Sequence, residues 1–502
     1  MAARNGFDVV IVGGGPAGAV IANRLSADEG CSVLLVEAGP DYGDDPVAWP
    51  PELMFPQQQA LESHSWNLHD ADTGLFLPRA RVMGGSSAVN ACYWIRGSAL
   101  DYDEWEQLGN PGWGFDGLLP YFRRAESDPM GGPLHGTDGP VKVWRAERWS
   151  AGDLAYMEAA VSLGLTQVED INGDRTQIPS VGPVPKNIVE GNRLNAAMSY
   201  LTPVRERPNL TIRADTLVDR VRFDGERAVG VVTGDGVEID ADLVVLAAGA
   251  YFTPGILNRS GFGDAGDLSG LGVEVRQHLP GVGQNLLDHP FCIGVAEGLI
   301  APDAVYGEKL QGQAMVRSAS DGSPDIDCHI YNAQYYDEEL DRWLMGLAVS
   351  MVNAHSRGRV SLTSTDPNEA PRIEHRHYSD PGDMERMCDG IGMALEIFRT
   401  PALGAVVEPL DDRTWKWSDR DELRGLIRQR SDTTNHCSGT AKMGPDSDPL
   451  AVTDSGGRVY GTDNLFVADS SLFPTCPRGN IHFAVVAAAE KIADGLLRSV
   501  VR

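Results

Sequence analysis

The sequence is poor in positive charge: 42 Lys and Arg stand against 71 Asp and Glu in 502 residues, a formal net charge of −29 at pH 7. Such a polyanion repels phosphate backbones and anionic headgroups at long range, which argues against nucleic-acid and membrane-surface partners. No window approaches the ~18 apolar residues of a membrane span. Cysteine is scarce and unpatterned. Cys31, Cys92, Cys292, Cys328, Cys388, Cys437 and Cys476 are odd in number and contain no C-x-x-C pair, so neither a disulfide framework nor a zinc site is expected of them. No G-x-S-x-G element supports serine hydrolase chemistry. Internal repeats and low-complexity tracts are also absent. The chain runs from Met1 straight into Phe7–Val12, which leaves no room for a signal peptide and predicts a cytoplasmic protein with reduced thiols.

What is abundant is glycine, 57 of 502 residues, against a usual ~7%. Many backbone positions should therefore need positive φ or close approach to something. The length predicts two domains, because single cores stop growing near ~250–300 residues. Val9–Val12 reads as a buried parallel strand, and Gly13-Gly-Gly15-Pro16-Ala17-Gly18 follows it and opens a helical stripe to Leu25. This places G-x-G-x-x-G between strand and helix, as a dinucleotide-binding turn requires. Gly13 serves the tight turn, Gly15 the approach of a pyrophosphate, and Gly18 the helix–strand packing, with the anion on the helix N-terminus. A second strand, Val33–Val36, ends in Glu37-Ala38. The acidic group there suits an adenosine ribose and would repel a 2′-phosphate. These residues alone leave FAD and NAD open.

Three further blocks carry a resemblance. Ala80-Arg81-Val-Met83-Gly84-Gly85-Ser86-Ser-Ala-Val89-Asn90-Ala91-Cys92-Tyr93, continuing to Gly97, resembles the first signature of the glucose–methanol–choline (GMC) oxidoreductases, which are FAD-dependent alcohol oxidases and dehydrogenases. Met83 stands where an aliphatic residue is usual. Gly249-Ala-Tyr-Phe-Thr253-Pro254 through Ser260-Gly261-Phe262-Gly263 is similar to the second signature, and Pro280–His289 to a third stretch. The resemblance implies FAD, with the Val218 backbone at the adenine. A His occupies the position of Val89 in members with covalent flavin, so non-covalent FAD is expected here.

The C-terminal quarter completes the family pattern. Asn435-His436-Cys-Ser-Gly-Thr-Ala-Lys-Met-Gly444 resembles the His-x-x-Gly-Thr motif, and Asn464–Pro474 the turn that brings an acid, Asp469, near the cofactor. Gly479-Asn480-Ile481-His482 precedes a strongly helical run, where most members have Gly-Asn-Thr-Asn or a close variant. By resemblance His436 is the base that takes the hydroxyl proton, and His482 binds the substrate oxygen while hydride passes to flavin N5. An imidazole suits this role because its unperturbed pKa of ~6.5 lies near the working pH. The acceptor is expected to be O2, with a quinone or dye acceptor as alternative. A primary alcohol of pyridoxine or furfuryl type is the expected substrate. A hydroxynitrile lyase-like or light-driven decarboxylase activity on the same fold is the non-redox alternative.

The implied fold is an α/β, Rossmann-like FAD domain (about 1–150, 200–300 and 440–502) interleaved with an α+β substrate domain containing an antiparallel sheet (about 150–200 and 300–440). Within the latter, His355–Leu362 alternates as a strand would. His278 and His289 are expected to be structural. His375 and His377 form a His-x-His pair that could bind metal on a strand. No third ligand is apparent, and no metal is expected.

Overall fold

The computed structural model describes residues 6–56, 62–173, 179–304, 314–319 and 326–500. Two sheets organise them. The first places Gly6–Val12 at its centre, in parallel register with Val33–Val36 on one side and Glu238–Leu246 on the other. Leu210–Arg213 extends the sheet beyond Val33–Val36, and Arg227–Thr233 and Val218–Asp224 extend it beyond Glu238–Leu246. Leu465–Val467 comes from far along the chain to pair with Val244–Leu246. Val33, Leu34, Leu35 and Val36 are all buried, as β-branched and leucine runs must be in a strand covered on both faces.

Helix Pro16–Leu25 starts at the end of the first strand and packs against the C-terminal helix His482–Val500. Their contact encloses Glu490, fully buried, whose carboxylate takes Arg24 and Arg124 at 2.6 Å each and the Tyr200 hydroxyl at 2.9 Å. A buried carboxylate is tolerable only when paired in this way, and loss of such partners costs about 3–5 kcal/mol. The pairing fixes the helix whose first residue is His482.

The second sheet has eight strands, in the order 407–409, 290–300, 342–351, 328–337, 314–318, 180–183 and 166–167, with 431–433 also pairing 290–300. All pairings are antiparallel except 166–167 with 180–183. Helix Pro381–Phe398 covers it with Met384, Met387, Cys388, Ile391, Ala394, Leu395 and Phe398, an i, i+3, i+4 stripe. The chain re-enters this sheet at Pro290, directly after Asp288-His289. The strand expected over His355–Leu362 is shorter, Arg359–Ser361, paired with Arg372–Glu374. Among the described residues no helix is long and apolar enough to cross a membrane.

A buried ionic network underlies the site from a third direction. Glu126 accepts from the Trp94 indole at 3.0 Å and from His135 Nδ1 at 3.0 Å, and His135 Nε2 meets Asp170 at 2.8 Å. Trp94 in turn stands edge-on to His482, with ring centroids 5.1 Å apart. Burial works against a charged His135, but its bonds to Asp170 and Glu126 outweigh that and raise its pKa to about 9. Because the folded value lies above the unfolded ~6.5, this stabilisation is complete below pH ~6.5 and is lost as pH rises through about 9. Thermal midpoints measured from pH 6 to pH 10 (roughly the window these pKa values set) should fall across it, and His135→Gln should remove that part of the slope while lowering the midpoint at the acid end.

Candidate active site

A cavity of about 560 Å³ extends along the C-terminal ends of the first sheet's central strands and reaches the second sheet. At one end it is walled by Gly13, Gly15, Pro16, Ala17, Glu37, Ala38 and Val218. Gly13 has φ +106°, and a Cβ there would lie 2.4 Å from the Ala247 carbonyl oxygen, so the turn admits no side chain. A Cβ on Gly15 would meet only Gly85 Cα, at 3.9 Å; the opening beside this backbone is a cradle for another group. Helix Pro16–Leu25 has no side-chain cap, which leaves its N-terminal amides for an anion. Glu37 is buried and receives Gly14 N at 2.7 Å and Gly39 N at 2.9 Å. Burial dominates and raises its pKa despite those two amides.

The middle of the cavity is formed by Gly85, Ser86, Val89, Asn90, Ala91 and Tyr93. Gly18, Gly84, Arg81 and Cys92 lie outside the lining. Gly18 packs beneath the turn, where a Cβ would stand 1.9 Å from the Gly13 carbonyl oxygen. Arg81 is exposed, donates to the Ala38 carbonyl at 3.1 Å and stacks on Trp66. Asp469 lines the cavity, but its carboxylate is committed to Gly249 N (2.8 Å) and Thr253 Oγ1 (2.6 Å). It therefore organises the Gly249–Thr253 turn.

The far end holds His436, Asn480, Ile481 and His482. Pairing of Pro290–Cys292 with Ser431–Thr433 sets His289 opposite Thr434, whose amide donates to the His289 carbonyl at 3.0 Å. Asp288 Oδ1 then receives both the His289 amide (2.8 Å) and the His436 amide (2.7 Å). The two imidazoles meet edge to face through Nδ1 atoms 2.8 Å apart.

One assignment of the ring protons satisfies every contact at this end of the cavity. With the Thr434 hydroxyl donating to the His289 carbonyl at 3.0 Å, its oxygen is left as an acceptor for His436 Nδ1, also 3.0 Å away. His436 is thus protonated at Nδ1 and carries its lone pair on Nε2, 3.2 Å from Asn480 Nδ2. His289 accepts at Nδ1 from the same proton. On the other side, Asn90 Oδ1 is occupied by Cys92 N at 3.0 Å, so Asn90 Nδ2 faces His482 Nδ1 at 3.3 Å. His482 accepts at Nδ1 and bears its proton on Nε2, which is buried and has no hydrogen-bond partner among the described residues. Burial, with the neighbouring His289 and Arg79, holds His436 well below the usual imidazole range, and burial alone brings His482 down to about 4. Both rings are neutral at pH 7. One wall therefore offers a basic nitrogen and the other an N–H donor.

Sequence reading placed His436, Asn480 and His482 on this cavity; His289, set down as structural, is fully buried behind the lining and abuts His436. The same reading passed over Thr434, Asp288 and Arg79. The Arg79 guanidinium lines the cavity and donates to the Asn435 carbonyl at 2.7 Å and Cys437 Sγ at 2.8 Å. Asp288-His289 had a signal in the Pro280–His289 stretch. Arg79 had none, since only the fold brings it beside Asn435 and Cys437; Thr434 stands two residues before His436 and was passed over for want of a motif.

The comparisons agree with this architecture. The GMC oxidoreductase family profile matches residues 7–291 and 354–489, and the chain belongs to that family. Human mitochondrial choline dehydrogenase is 34% identical, over 98% of this chain and 90% of the human one. The oxygen-dependent choline dehydrogenase of Photobacterium profundum is 33% identical, over 98% of this chain and 93% of that protein. The crystal structure of pyridoxine 4-oxidase from Mesorbium loti superposes with a TM-score of 0.87 at 31% identity, covering 98% of this chain and 99% of that one. A fungal aryl-alcohol oxidase, at 21% identity and a TM-score of 0.83, shares the fold. The protein is an FAD-dependent oxidoreductase acting on CH–OH donors, and the glycine cradle, uncapped helix and buried Glu37 fit that cofactor.

His436→Ala should lower kcat by about 10²–10⁴-fold, the usual worth of a general base, with flavin content unchanged. Thr434→Val removes the acceptor that fixes the ring and should cost about tenfold, the worth of one hydrogen bond. Steady-state kinetics beside the flavin absorbance of each purified variant checks both.

Proposed function

We propose that this enzyme oxidises the primary alcohol of an uncharged aromatic or heteroaromatic substrate to the aldehyde, holds its FAD non-covalently, and uses O2 as acceptor with release of H2O2. The observation that carries the reading is the complementary pair of neutral imidazoles on one cavity, His436 with its Nε2 lone pair held only by the Asn480 amide and His482 with an unpartnered Nε2–H.

The Gly13–Ala17 turn and the helix N-terminus would hold the pyrophosphate, Glu37 the ribose, the Val218 backbone the adenine, and the Gly85–Asn90 turn with Ala91 and Tyr93 the flavin half. Val89 has no nucleophile with which to attach it. Bound FAD supplies the acceptor for the carbinol hydrogen and its electron pair. His482 Nε2–H donates to the alcohol oxygen and orients it. The hydroxyl proton passes to His436 Nε2, and the resulting cation is shared through Nδ1–H with Thr434 Oγ1 and His289 Nδ1. Neutral rings are needed at the outset, and burial provides them.

Aromatic walls and absent counter-charge support the substrate class. Tyr93 and Tyr331 stack at 5.7 Å and 24°, with Phe291 edge-on to Tyr331, and all three line the cavity. The Lys186 ammonium lies 5.4 Å from the Tyr93 ring centroid and disfavours a cationic substrate. The carboxylates on the lining are Glu37, Asp469 and Glu369. The first two are held by the amides described above, and Glu369 follows Pro367, which packs near Leu217 at the adenine end. The choline dehydrogenases among the relatives favour a second reading, in which the aromatic rings cage a quaternary ammonium group. Seven cysteines present as thiols fit a cytoplasmic location. The segments about 1–150, 200–300 and 440–502 would form the nucleotide half, with Pro290–Ile300 on the substrate side.

An alcohol panel read by peroxide release and by dye reduction tests this. Pyridoxine, hydroxymethylfurfural or benzyl alcohols should give kcat/KM at least about 100-fold above choline, the effect of an unpaired charge in a buried site, with stoichiometric peroxide. Preference for choline, or dye reduction without peroxide, contradicts the corresponding part. Turnover of a cyanohydrin with no anaerobic flavin bleaching by any alcohol contradicts the redox assignment.

A further inference from the structure

His375 and His377 take no part in the chemistry above and do not line the cavity, yet both turn their Nε2 atoms to one carboxylate oxygen. Asp288 Oδ2 lies 3.5 Å from His375 Nε2 and 3.8 Å from His377 Nε2, and the three atoms all lie within 4.8 Å of one another. An ion about 2.0–2.2 Å from each donor in a tetrahedral arrangement needs donor–donor separations of roughly 3.3–3.6 Å. The two histidine–carboxylate edges, 3.5 and 3.8 Å, lie within a few tenths of an ångström of that range (roughly, on those same bond lengths), and the histidine–histidine edge is bounded at 4.8 Å.

We propose that Asp288, His375 and His377 form a structural site for a divalent transition metal, of the zinc type, that clamps the loop after Arg372–Glu374 to the segment carrying the active-site histidines. Two imidazoles and one carboxylate form a donor set suited to zinc. Asp70 accepts from His375 Nδ1 at 3.0 Å and from its backbone amide at 2.9 Å, the orienting carboxylate that metal-bound histidines usually have; it leaves Nε2 as the ligating atom. His377 Nε2 is buried and has no hydrogen-bond partner among the described residues. Arg376 (φ 54°) and Tyr378 (φ 60°) hold left-handed backbone on either side of it, a conformation side chains disfavour, and the rings of His375 and His377 consequently lie 5.0 Å apart. The Tyr251 hydroxyl, 2.8 Å from His375 Nε2, turns aside or joins as a fourth donor.

The other buried histidine–carboxylate cluster shows why this one differs. There Glu126, Asp128 and Asp170 are matched by Arg96, Arg145 and His135, so its charge is already closed. At Asp288, Oδ1 holds the His289 and His436 amides and Oδ2 already accepts from the Thr433 hydroxyl, so an ion would share Oδ2 with Thr433 and stiffen the backbone of His436.

The test uses untagged holoenzyme equilibrated with Zn²⁺ and passed through gel filtration, with zinc counted per flavin. About one zinc per chain is expected, with retention reduced about tenfold or more in His377→Gln and His377→Phe at full flavin content. Chelation should lower the thermal midpoint of wild type and leave that of His377→Gln unmoved. Wild type loaded with Co²⁺, which needs no mutation, should give the intense visible bands of a low-coordinate nitrogen–oxygen site beyond the flavin absorbance. Binding below about a tenth of an equivalent, pale octahedral Co²⁺ bands, or zinc retained equally by the His377 variants overturns the proposal. None of these readouts depends on the alcohol substrate.

Discussion

The rest of the site depends on the grip of the Asp288 carboxylate on the amides of His289 and His436. Those two residues come from segments far apart in the chain, one leading into the strand Pro290–Ile300 and the other following Ser431–Thr433. Antiparallel pairing brings the segments together, but pairing alone fixes backbones and not rings. A single oxygen taking both amides sets the two imidazoles edge to face at hydrogen-bond distance. Once that contact exists, Thr434 decides the proton. The proposed tautomer of His436 thus rests on strand register, then on one carboxylate, then on one hydroxyl.

Much of the nucleotide half was legible in the sequence because its signals are local. A β-branched run, a glycine turn, an apolar helix and a terminal Glu lie within the first forty or so residues, and the structure builds them as strand, turn, helix and strand. The glycine excess is accounted for in part by the same requirement: at Gly13 and Gly15, backbone replaces side chain beside the cavity. His436 and His482 were legible through motif context. What sequence could not supply was side-chain company across long separations. Arg79 beside Cys437 and Asp288 beneath His375 and His377 are products of folding, and no spacing rule announces them; Thr434, two residues before His436, is local, but its contact with the ring depends on a side-chain conformation the sequence does not state. Arg81, Gly84 and Cys92 illustrate the converse, since they share the signature yet stand behind the lining or at its edge.

The acidic composition acts at a different scale. A net charge of −29 shapes which large partners can approach, but the cavity that must take an anionic dinucleotide is built from amides and an uncapped helix end. At the reactive end the dominant electrostatic influence is desolvation. It keeps two histidines neutral without a carboxylate touching either ring, so in the proposed mechanism the cation on His436 would be met by a hydroxyl and a third imidazole.

That arrangement makes the tautomers of the histidine pair the central claim. Nitrogen-15 NMR of histidine-labelled holoenzyme at neutral pH, assigned with single His→Gln variants, reads them directly. The account predicts His436 protonated at Nδ1 with an unprotonated Nε2, and His482 and His289 protonated at Nε2. An Nε2-protonated or imidazolium His436 in the resting enzyme would contradict it.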